Sequence, residues 1–111
     1  MAVSWPVGEA KTIALSATGA QAITIDNMKT IIDGVTVEAT GNRTINLTVD
    51  SGIKSGAQIQ LRNKTNGTET TTFGTGITDG VNTGVAGKTF SGSYTYDGTT
   101  FTPDGELQQQ D

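Results

Sequence analysis

The sequence predicts an all-β fold, a small antiparallel β-sandwich or jelly-roll-like barrel with hairpins and a Gly-rich loop, and three observations carry that expectation. The 111 residues include 21 Thr and 15 Gly, which pairs a β-branched residue suited to a pleated, half-buried surface with one that permits tight turns. Apolar and polar residues alternate through several short windows, the period of a strand with one wet face. Asx-Gly dipeptides at Asp33-Gly34, Asn66-Gly67 and Asp97-Gly98 punctuate those windows with the chemistry of two-residue hairpin turns.

Taken in chain order, residues 1–10 form an N-terminal arm carrying Trp5, Pro6 and Val7, and residues 11–103 form the β domain. Residues 12–16 and 21–25 are the first strand windows, separated by Gly19. Residues 29–32 and 35–39 follow, and Asp33-Gly34 between them predicts a type I′ hairpin. After a turn at Gly41-Asn42, residues 44–49 alternate strictly, with Ile45, Leu47 and Val49 on one face. Ala57, Ile59 and Leu61 repeat the pattern, and Asn66-Gly67 predicts a hairpin into residues 68–73. Residues 74–87 hold five glycines among single apolar residues and predict an irregular loop or a set of short edge segments. Phe90, Tyr94 and Tyr96 then share one parity before Asp97-Gly98, with Phe101 returning beyond it. Residues 104–111 form a polar tail expected to be mobile unless a partner holds it.

Composition excludes several classes of function. A chain of this length forms one core, but only 33% of residues are hydrophobic and 5% aromatic, so the core is thin and self-association would help it. The net charge of −4 and the low charged fraction of 16% leave no basic footprint for a nucleic acid. Cys and His are both absent, which removes disulfides, thiolate chemistry, imidazole bases and the commonest transition-metal ligands. Residues 1–8 lack the basic and apolar regions of a signal peptide, and no run approaches a membrane span, so the expectation is a cytoplasmically made, soluble protein.

Each motif has a plainer reading. Gly87-Lys88-Thr89 matches the end of a phosphate-binding loop, but that loop needs glycine where the chain has Asn82, and a helix where residues 90–96 read as strand. Asp33, Asp79, Asp97 and Asp104 each precede glycine, where aspartate caps a turn, and no dense Ca²⁺-ligand spacing accompanies them. Four Asn-x-Thr sequons, at Asn42, Asn46, Asn63 and Asn66, follow from the abundance of Thr. Tyr94, Tyr96 and Phe101 could stack on sugar rings, against core or interface packing as the ordinary role. Trp5 beside Pro6 and Val7 is expected either to fold over the core or to anchor in a neighbouring subunit. No catalytic residue, metal ligand or cofactor site emerges, so the chain is not expected to be an enzyme.

The segments LTVDSGIKSGAQIQLRN, TTFGTGITDG, VAGKTF and SYTYDGTTFTPDG, spanning roughly residues 47–111, resemble a recurring pattern in tailed-phage virion proteins. The likeness is to the small β domains of head fibres, capsid decoration proteins and tail-associated proteins. It implies a virion component that assembles on the major capsid protein or another virion protein as a dimer or trimer, without direct nucleic-acid or membrane contact. It carries over no catalytic residue, and the positions that bear it, Phe73, Gly74, Gly76, Tyr96, Gly98 and Phe101, are expected to serve folding. A carbohydrate-binding or adhesive module acting on host glycans through Tyr94, Tyr96 or Phe101 is the alternative from a different functional class.

Overall fold

A computed structural model describes residues 10–111, and every regular element among them is a strand. The arm residues Trp5, Pro6 and Val7 lie outside the described residues. Ten strands form two sheets: β1 (Lys11–Ala14), β2 (Gly19–Ile25), β3 (Lys29–Ala39), β4 (Arg43–Val49), β5 (Gln58–Thr65), β6 (Thr70–Phe73), β7 (Val81–Thr83), β8 (Thr89–Tyr96), β9 (Phe101–Pro103) and β10 (Gln108–Gln109). One sheet runs β1-β3-β5-β8-β10 with β9 also on β8, and the other runs β2-β4-β6-β7. The all-β expectation is met, but the sheets are mixed rather than antiparallel. β1, β3 and β5 are parallel, as are β2, β4 and β6.

From β1 to β6 successive strands therefore alternate between sheets, and the chain winds around its core in three flattened turns, β1-β2, β3-β4 and β5-β6. No repeat at solenoid spacing is visible in the sequence because the turns differ in length. The step from a residue to its partner one turn later is 19 residues at Lys11–Thr30, 24 at Gly19–Arg43, 29 at Lys29–Gln58 and 28 at Arg43–Thr71. β7 and β8 then reverse direction against β6 and β5, which ends the winding.

Two of the three expected hairpins are absent, for a conformational reason. A type I′ turn needs positive φ at both central residues, yet among the described residues the only positive-φ ones are Gly19, Gly56, Gly76, Gly87 and Gly98. Asp33-Gly34 lies inside β3, where the Asp33 carboxylate accepts the Val35 and Thr36 amides and the Thr36 hydroxyl. That local turn shifts the β3–β5 register after Gly34 and bulges the strand without reversing it. Asn66-Gly67 forms a corner that carries the chain from β5 in one sheet to β6 in the other. Asp97-Gly98 does make a hairpin, with a four-residue loop in which Asp97 Oδ1 accepts the Thr99 and Thr100 amides and Gly98 takes φ +99°.

The inner faces of both sheets share one core, with Ile32, Ile59, Leu61, Tyr94 and Phe101 from one and Ile23, Ile25, Ile45, Leu47 and Phe73 from the other. The alternation in β4 and β5 falls as the sequence implies, with Ile45, Leu47, Ile59 and Leu61 buried. The Gly-rich segment resolves into edge structure: β7 pairs with β6, and Ile77 bridges to Phe101. The tail is held by its own chain. Leu107 packs over Gly92, where an added Cβ would lie 2.6 Å from the Leu107 side chain, and β10 pairs with β8.

Gly76 combines φ +75° with a backbone approach that would place a Cβ 2.5 Å from the Leu47 carbonyl oxygen. Gly76→Ala is therefore expected to cost more than about 1 kcal/mol in urea unfolding. Gly105→Ala, where a Cβ meets nothing, should stay within about 0.5 kcal/mol of the parent.

Candidate functional site

The aromatic residues singled out from the sequence come together, but mostly inside. Tyr94 and Phe101 are buried, and Tyr96 is half-buried with its ring 5.0 Å from that of Phe101. Phe73 packs against Tyr94 at 5.7 Å. The Tyr94 hydroxyl donates to Asp79 Oδ2 at 2.7 Å, and burial foremost, then that carboxylate, raises its pKa well above the ordinary tyrosine range. Tyr94 and Phe101 thus offer no open face on which a sugar could stack.

A buried polar cluster built around Arg43 and Asn63 was not singled out from the sequence. Arg43 opens β4 on the same parity as Ile45 and Leu47, so it points inward, and only 2% of its surface is exposed. Its Nη1 donates to the carbonyls of Ser16 and Val37, and its Nη2 to those of Gly34 and Lys64 and to Asn63 Oδ1 at 2.7 Å. Asn63 in turn donates to Thr71 Oγ1 and Asn82 Oδ1. Burial lowers the Arg43 pKa, with the charge of Glu69 opposing that shift. Hydrogen bonds to dipoles, in place of a carboxylate partner, hold this charge in the interior.

The remaining polar motifs are occupied by local bonding. Asp33 and Asp97 cap their own turns, and those hydrogen bonds lower both carboxyl pKa values. Gly87 and Lys88 spend their amides on the carbonyls of Thr65 and Val85, and Thr89 lies in β8, so this segment makes no phosphate cradle. An open cleft of about 220 Å³ beside β7 is lined by Phe73, Asp79, Val81, Asn82, Glu106 and Leu107. Asp79 there already accepts from Tyr94 and the Gly80 amide. Among the described residues no group of three or more His, Cys, Asp or Glu side chains could hold a metal ion.

The two ends of the coil are built differently. At the late end the outer strands are short: β7 has three residues, β9 three including Pro103, and β10 two. Short strands and proline blunt an edge. At the early end, β1 is partly covered by Gln21, whose side chain donates to the Ala14 carbonyl and accepts the Ser16 amide. β2 has seven residues, GAQAITI, with neither charge nor proline, and β4 is its one strand partner among the described residues.

Arg43→Met should destabilise the fold by about 1–3 kcal/mol or more in urea unfolding, because it leaves Asn63 Oδ1 and the buried carbonyls that the guanidinium serves without a donor. Arg43→Lys should restore only part of that loss, since an ammonium has three donors and no planar fork. In the unfolded chain Tyr94 titrates near 10.0, whereas in the fold its neutral form persists to higher pH. The stability it contributes is fully present below that value and is lost progressively as pH rises above it and through the higher folded-state pKa. Melting measured against pH should therefore fall in alkali, and Tyr94→Phe should flatten the fall while lowering stability at neutral pH.

Compared with protein-family models, curated proteins and solved structures, the chain matches none of them.

Proposed function

We propose that this chain is a structural protein of a tailed-phage virion, made in the host cytoplasm, which decorates the capsid surface or forms part of a head fibre and acts by protein–protein assembly. The observation that carries the reading is the β2 edge, seven uncharged, proline-free residues with strand pairing on one side among the described residues. A long, flat, uncharged edge is what an assembling β protein uses and what a solitary one blunts. The resemblance over residues 47–111 supports the virion setting, and its Gly and aromatic positions have folding roles: Phe73 and Phe101 are buried, and Gly76 and Gly98 take positive φ. In this reading Trp5, Pro6 and Val7 serve as a contact arm. The glycan-binding alternative loses support from the burial of Tyr94 and Phe101.

Co-sedimentation of the purified chain with phage capsids stripped of their surface proteins tests the proposal. Saturable binding at a fixed ratio to the major capsid protein is the expected result, weakened by Trp5→Ala. No binding to capsids, with retention on a glycan array instead, would reverse the choice between the two readings.

A further inference from the structure

The register of β2 identifies which groups are presented by its outer edge, which is unpaired among the described residues. The Gly19 amide donates to the Asn42 carbonyl, and the Ile25 carbonyl accepts the Asp50 amide. In a parallel pair the amide and carbonyl of one residue point the same way, and this alternates along the strand. Residues 19, 21, 23 and 25 therefore bond toward β4. Ala20, Ala22 and Thr24 direct their amides and carbonyls to the outer edge, and their side chains are exposed.

Those three residues are spaced symmetrically about Ala22, the central residue of the strand. We propose that β2 pairs antiparallel with β2 of a second copy across a two-fold axis at Ala22, joining the four-stranded sheets of two chains into one. Ala22 faces Ala22 of the second copy, and Ala20 faces its Thr24. Each of these is a hydrogen-bonded pair that exchanges both amide–carbonyl bonds, so every outward group of the edge is satisfied. Isologous pairing of this kind closes on itself and needs no second surface.

The charge pattern fits a second copy of the same chain. No charged residue lies within β2. Asp26, just beyond it and bonded to Lys11 at 2.9 Å, falls opposite Thr18 of the second copy, so like charges do not meet. The competing edges suit this role less well: Gln21 already bonds along β1, while β7, β9 and β10 are two or three residues long. The proposal rests on the assembly reading above but can fail separately from it.

The chain has no cysteine, so single introduced cysteines report the register directly. Facing Cα atoms in a hydrogen-bonded antiparallel pair are about 5.5 Å apart, inside the disulfide range of about 4.4–6.8 Å. Full-length Ala22→Cys should oxidise to a covalent dimer. Ala20→Cys and Thr24→Cys should stay uncrosslinked alone and link when mixed. By light scattering on the parent chain, a dimer that dissociates on dilution is expected. Ala22→Pro, which removes an outward amide that proline can lack on an edge strand, should yield a folded monomer. A parent chain that is monomeric at every concentration, crosslinking strongest through Ala20→Cys alone, or a dimer that survives in a folded Ala22→Pro variant overturns the proposal. If Ala22→Pro does not fold, the cysteine series decides. A monomer that still binds stripped capsids defeats the pairing and leaves the virion reading standing; a dimer that ignores them does the reverse.

Discussion

The buried guanidinium of Arg43 is the interaction on which the winding depends. Its acceptors come from Ser16 after β1, from Gly34 and Val37 in β3, and from Asn63 and Lys64 in β5, so one side chain ties together all three turns. Asn63 extends the network to Thr71 in β6 and Asn82 in β7. A chain with a thin aliphatic core gains a defined register from such a network, because sliding any strand by one residue would strand a buried polar group.

The bulge at Asp33-Gly34 belongs to the same arrangement. A Cβ at Gly34 would lie 2.7 Å from the Arg62 carbonyl oxygen and 3.1 Å from Arg43 Nη2, so glycine admits the guanidinium and the neighbouring strand together. Asp33 holds the local backbone turn from outside. The dipeptide that looks like a hairpin signal is the seat of the buried cation.

Much of the fold was legible in the sequence because burial follows period two. The inward phase of Ile45 and Leu47, and of Ala57, Ile59 and Leu61, could be read directly. The same phases also contained the central site: Arg43 sits in step with Ile45, and Asn63 and Thr65 with Leu61, so polar residues in an apolar phase were the signal that a buried network existed. Strand pairing was less accessible. Asx-Gly dipeptides report a local turn and not whether the chain returns beside the strand it left or crosses to the opposite sheet. That choice depends on which surface buries more apolar area, and partners one turn apart are separated by unequal lengths of chain. The tail could not be judged from its own polarity, since what holds it is the notch left by the absent side chain of Gly92.

The alternation of strands between sheets has a kinetic consequence. In each parallel pair of the coil, a strand waits for its neighbour until 19 to 29 further residues have been made, so early pairing contacts are non-local and their loop-closure entropy opposes them. The two adjacent antiparallel pairings, β6 with β7 and β8 with β9, lie in the second half of the chain. As the polypeptide leaves the ribosome, β2 emerges before β4, its one strand partner among the described residues. Synthesis thus exposes, on every chain and for a time set by the length of one turn, the β4-facing amides and carbonyls of residues 19, 21, 23 and 25, a surface that the finished sheet hides.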